Sequence, residues 1–192
     1  MILWYFINSK SLWKTNRMVN YRRDRTQGGT YFFTLTLQDR NSNLLTNYIN
    51  ALGHAFRRAR KNNPFLTKAI VVLPEHLHAI WELPEGDEDY STRWRQIKTY
   101  FLQDILQLGE PFLKNARNEY TLWQRRFWEH RIRNETDFFH HVNYIHYNPV
   151  KHKLVQKVVD WPYSSVHSYI KYGILPRDWG GASLPGLYGE VD

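Results

Sequence analysis

The chain has 192 residues, with 26 Lys and Arg against 18 Asp and Glu, a formal net charge of +8. That length suits one domain, or one domain with an extra arm, and it suffices to bury a real core. There is no cysteine, which excludes a disulfide scaffold, a Cys-ligated zinc finger, an iron–sulfur cluster and a cysteine nucleophile. Hydrophobic residues make up 42% and aromatic residues 16%, so the composition is not that of a disordered chain. The positive balance favours polyanionic partners, above all nucleic acid. No apolar run approaches the ~20 residues of a membrane span. The apolar start, Met1 to Ile7, has neither the basic residue ahead of it nor the small-residue cleavage site of a signal peptide. The expected location is the cytoplasm.

Residues 1–17 are aromatic, then polar, without strong periodicity. They read as an N-terminal extension, with Met18 opening MVNYRRDRTQGG as the natural start. Residues 18–180 read as a single domain and 181–192 as a tail. Gly29 to Leu37 is rich in β-branched and aromatic residues and predicts a strand. Asn41 or Ser42 is placed to cap a helix to about Lys61, with Leu44, Leu45, Tyr48, Ile49, Leu52, Ala55 and Phe56 near a 3.6 period. Phe65 to Leu73 and His76 to Leu83 predict two strands around a bend at Pro74-Glu75, an antiparallel hairpin. A second amphipathic helix is expected from Ser91 to Leu108, then a loop to Tyr120 and a short edge strand within Leu122 to Arg131. A third helix spans Glu135 to Asn148 and stops at Pro149, and a short helix lies near Ser164 to Tyr172. The fold class is therefore α+β: an antiparallel sheet in a ferredoxin-like arrangement, with helices packed on one face.

Side chains alternate faces along a strand, so His76 and His78 point the same way and are able to share one divalent metal. The alternative is an ordinary pair of strand histidines, which need hydrogen-bond partners where they are buried. On the third helix, His141, Tyr144 and Asn148 share one stripe, while Phe138, Val142 and Ile145 form the adjacent core stripe. Tyr144 alone would read as a packing or base-stacking residue. Beside a metal it gains another role. A phenol has a pKa near about 10 and is a weak nucleophile, but it attacks a phosphodiester once a metal offsets the developing charge. Two imidazoles with an amide or carboxylate oxygen suit Mg²⁺ or Mn²⁺.

PEHLHAIWELPEGD, RFWEH, HHVNYIHYNPVKH and DWPYSS, in that order, resemble the REP-associated tyrosine transposases. These are a branch of the single-tyrosine HUH endonucleases, named for a His-hydrophobic-His motif. The likeness runs from about Tyr21 to about Trp179. It implies the HUH motif on a central strand, with His76 and His78 on the metal, and the nucleophile Tyr144 on a helix. It also implies cleavage of single-stranded DNA hairpins from repetitive extragenic palindromes, through a 5′-phosphotyrosine link that leaves a free 3′-OH. Related enzymes often place a third metal ligand, commonly Gln, four residues after the tyrosine. Here that position is Asn148, with a helix C-terminal hydrogen bond as its alternative role and Glu75 or a water as the alternative ligand. Arg22, Arg23, Arg125 and Arg126 fall in family-like stretches and are the expected DNA-binding residues. His130, His140 and His141 read equally as phosphate neighbours or as structural residues, and Trp128 reads as a core or a base-stacking residue, with the core as the expectation. A monomer is expected, with a dimer as the alternative. The rival readings are a non-catalytic DNA or RNA hairpin-binding protein, and a His-ligated hydrolase of a small substrate.

Overall fold

The structure is a computed structural model that describes residues 23–180, apart from 113 and 119. The expectations for residues 1–17, Met18 as a start, Arg22 and the tail 181–192 lie outside the described residues. Strand β1 (Thr30–Thr36) is followed by α1 (Leu44–Asn47), α2 (Ile49–Asn62), β2 (Leu66–Val72), β3 (His76–Glu82) and α3 (Tyr90–Gln107). Then come β4 (Trp128–Arg131), α4 (Glu135–Lys151), a 3-10 turn (Val158–Asp160) and α5 (Val166–Lys171). The sheet order is β2-β3-β1-β4, and every neighbouring pair is antiparallel. The fold is the expected α+β, ferredoxin-like sheet.

Alternation along β1 and β3 explains both layers. Tyr31, Phe33 and Leu35, with Leu77, Ala79 and Trp81, join α2 and α3 in the larger core. Trp81 stacks on Trp94 of α3 with ring centroids 3.8 Å apart. Phe32 and Ile80 point to the other face, where Val142 and Ile145 of α4 cover them. The expectation of helices on one face therefore holds for α2 and α3, whereas α4 packs on the opposite face. The physical reason is that both faces of the two central strands carry apolar side chains, and each must be removed from water.

Three boundaries differ from those the sequence predicts. The first helix is divided at Tyr48, whose φ of −111° and ψ of 36° are not helical. Its hydroxyl donates to Glu110, and Leu45 N–H donates to the Pro74 carbonyl, so tertiary bonds hold α1 apart from α2. Leu108, expected as the last residue of the second amphipathic helix, is instead the C-cap of α3 and is exposed. Helix α4 does not stop at Pro149. A proline removes one N–H donor, yet a final turn forms because His152 and Leu154 donate to the carbonyls of Asn148 and Pro149.

The outer edge of β2 is covered by the segment after the 3-10 turn. Val72 N–H donates to the Tyr163 carbonyl, Ser165 N–H to the Ile70 carbonyl, and Ile70 N–H to Ser165 Oγ. Trp161 Nε1 adds a bond to the Val72 carbonyl. These bonds occupy the outward backbone groups of Ile70 and Val72, which another chain would otherwise be able to join.

Candidate active site

His76 and His78 lie on β3 opposite Thr36 and Thr34 of β1, on the face that α4 covers. Their ring centroids are 4.9 Å apart, and both residues are buried. His76 Nδ1 lies 2.8 Å from Glu75 Oε1. Burial pushes the Glu75 carboxyl up, but the His76 hydrogen bond and the His76 and Arg40 charges outweigh it and hold it below its usual value. An ionised carboxylate only accepts, so His76 donates its Nδ1 proton to Glu75. His78 Nδ1 sits 2.8 Å from Thr34 Oγ1. Burial, followed by the neighbouring His76, His152, Lys151 and Arg40, holds the His78 imidazole well below its ordinary pKa and therefore neutral. A neutral imidazole is the form that binds a metal.

Tyr144 meets this pair from α4. Its ring centroid is 5.1 Å from that of His78 and 5.8 Å from that of Phe32. Lys151 Nζ is 5.1 Å from the centre of the same phenol ring. His152, just beyond the last turn of α4, brings its ring to 5.1 Å from His76. Asn148, one turn after Tyr144, is fully buried, and neither Oδ1 nor Nδ2 has a hydrogen-bond partner among the described residues. A buried amide left this way costs free energy unless something fills its place. Its oxygen is of a type that binds a hard or borderline cation, as neutral imidazoles do, so the residue types present fit a divalent metal. Glu75 is already engaged with His76, which makes it a partner of a ligand more readily than a ligand.

A second group joins the early turns of α4 to His130 on β4. His130, Asp137 and His141 place ligand atoms within 4.8 Å of one another, a His/Asp cluster of metal-binding type. These groups are bonded among themselves. His130 Nε2 donates to the Asp137 carboxylate at 2.9 and 3.2 Å. His141 Nδ1 donates to the Asp137 carbonyl at 2.8 Å. Burial of Asp137 is outweighed by the His130 and Arg133 hydrogen bonds, which keep its carboxyl low. Burial lowers the pKa of His141.

The basic residues separate into two kinds. Arg23 lies on the far face of the sheet, over the Phe127 ring, bonded to Ser91 Oγ and 3.8 Å from Glu129. Arg93 is buried, with bonds to Asp87 and the Pro64 carbonyl, and its role is structural. Arg125 and Arg126 are exposed in the segment that leads into β4. His140 is half-buried on α4. Trp128, expected in the core, keeps 47% of its surface exposed, because it sits on β4, the outermost strand among the described residues. Lys151 and His152 were not legible as site residues, because Pro149 reads as a stop and hides the last helical turn. Thr34 carried no signal, since its place beside His78 follows only from strand register.

No protein-family model matches the chain. A protein of Haemophilus influenzae assigned as a REP-associated tyrosine transposase is 49% identical over 176 residues, 91% of this chain and all of the relative. A REP-associated tyrosine transposase of Escherichia coli K12 is 49% identical over 164 residues, 85% of this chain and 92% of the relative. A solved structure of a REP-associated tyrosine transposase bound to a REP hairpin is 46% identical. It covers 90% of this chain and 98% of its own, with a TM-score of 0.79. Fold and relatives together define the chain as one of the transposases. Within that class, it belongs to the REP-associated tyrosine transposase family.

Proposed function

We propose that the chain is a metal-dependent single-strand DNA endonuclease and strand transferase of the HUH type. Its substrate is a hairpin formed by a repetitive extragenic palindrome. The observation that carries this reading is the approach of Tyr144 on α4 to the His76–His78 pair on β3, with His78 and Tyr144 ring centroids 5.1 Å apart. His76, His78 and the Asn148 amide oxygen are the residues that would hold Mg²⁺ or Mn²⁺. Such a cation supplies positive charge against the charge developing on the scissile phosphate.

The remaining chemistry belongs to the side chains. Tyr144 Oη forms a bond to phosphorus as the bond from phosphorus to the 3′-oxygen breaks. The phenolic proton is lost and the departing oxygen gains one, so a 5′-phosphotyrosine and a free 3′-OH result. Lys151, 5.1 Å from the centre of the phenol ring, favours the anionic form of the nucleophile by Coulomb attraction. Glu75 fixes the His76 tautomer, and Thr34 orients His78. The exposed Arg125 and Arg126 suit phosphates of the bound strand. This reading places the protein in the cytoplasm, where its DNA is, and needs only one copy of the chain.

The test uses labelled single-stranded hairpins from palindromic repeats flanking the gene, with Mn²⁺, Mg²⁺ or EDTA. A denaturing gel should show a protein–DNA adduct with either metal and none with EDTA, Tyr144→Phe or His76→Ala. Tight hairpin binding with no adduct under any condition would reassign the chain to a non-catalytic hairpin-binding module.

A further inference from the structure

Trp128 opposes Thr34 in the β1–β4 ladder, and Thr34 opposes His78 in the β1–β3 ladder. The three residues therefore form one cross-strand row on the α4 face. Adjacent strands lie about 4.8 Å apart, so the Trp128 backbone stands two strand spacings, about 10 Å, from the His78 backbone. That is a short step along a single strand whose scissile phosphate lies at Tyr144. Despite its position on the α4 face, Trp128 is 47% exposed, while Phe32 beside it is buried.

The indole is also held in place. It lies within 6° of parallel to the His130 ring, with centroids 5.9 Å apart, and meets the Phe32 ring edge-on at 5.6 Å. His130 in turn stacks on His141 at 4.8 Å and is bonded to the Asp137 carboxylate. Arg133 N–H donates to that same carboxylate at 3.0 Å. The proton on His130 Nε2 is thus committed, and the ring cannot turn without breaking a charge-assisted bond. A flat, half-exposed aromatic fixed before binding loses little side-chain entropy when something stacks on it.

We infer that Trp128 is a stacking platform for an unpaired base next to the cleavage position, with the Asp137–His130–His141 cluster as its rigid support. The inference rests on the proposed function above and adds a binding site for one nucleobase. Stacking tolerates any base, because every base has a π-face. The platform therefore sets the position of the strand and not its sequence. Its contribution is read as affinity, and removal of a stacking aromatic weakens single-strand binding by about 5- to 100-fold.

The experiment measures hairpin affinity with Tyr144→Phe protein, which cannot cleave. Each unpaired position beside the cleavage site is replaced in turn by an abasic nucleotide. One position should lose about 5- to 100-fold with Trp128 present. Trp128→Ala should lose the same factor on intact DNA, with no further loss from the abasic site, and Trp128→Phe should keep most of the affinity. A hairpin stripped of its single-stranded flank serves as the control for folding, and Trp128→Ala should bind it normally. Unchanged affinity of Trp128→Ala for flanked hairpins would overturn the platform, as would additive losses at every position. If the otherwise native chain cleaves hairpins but Trp128 is uncoupled, only the platform falls. If it binds no hairpin, the proposed function falls first.

Discussion

Glu75 and His76 are neighbours in sequence whose joint role depends on one 2.8 Å hydrogen bond. The carboxylate accepts the Nδ1 proton, so under the proposed function Nε2 is the nitrogen that would meet a cation. Glu75→Ala should raise the Mn²⁺ concentration needed for half-maximal adduct formation by about 10- to 100-fold. The adduct yield at saturating Mn²⁺ should be retained. An unchanged Mn²⁺ dependence would remove Glu75 from the metal centre. At this scale the sequence was informative about spacing but not about hydrogen-bond partners. His76, His78, Tyr144 and Asn148 share stripes that can be read from periodicity. Thr34 and Lys151 became visible only when strand register and the last turn of α4 were known. Arg23 shows the opposite outcome, since a cation in a family-like stretch lies on the far face, over Phe127.

Ser165 couples three elements. Its Oγ accepts from Ile70 N–H on the edge of β2 and lies 2.9 Å from His146 Nε2 on α4. Burial, then the charge of His167, lowers the His146 pKa to about 4, so the imidazole is neutral at neutral pH. Ser165→Ala should leave a strand-edge donor without its acceptor and cost about 1–3 kcal/mol. Urea unfolding checks this, and a change within error would mean that solvent replaces the hydroxyl at that edge. The strands, α3 and α4 were legible as elements because their hydrophobic periods are long and clean. Their ends were less so. Tyr48 and Pro149 both violate local expectation, one through a side-chain bond to Glu110 and the other through carbonyls that accept from beyond the proline.

For the whole molecule, the +8 charge governs long-range attraction to a phosphate backbone. Hairpin affinity should fall as salt rises, because binding releases counterions from the DNA. Replacing Arg125 and Arg126 together by Ala should flatten the log–log salt dependence by about one unit for each phosphate the two guanidinium groups neutralise. A slope that does not change would take both arginines off the DNA path. Composition, hydrophobic period and the order of the motifs by themselves determined an α+β chain whose +8 charge favours polyanionic partners. They also determined that His76 and His78 share a strand face and that Tyr144 and Asn148 share a helix face. These are local properties, set by backbone geometry of period 2 and 3.6. The tertiary structure decided that the two faces meet, that α4 covers the side of the sheet opposite α2 and α3, and that Trp128 is left exposed beside them. Those outcomes depend on which strands pair, in which register, and which apolar faces are buried, and interactions between residues far apart in sequence set all three.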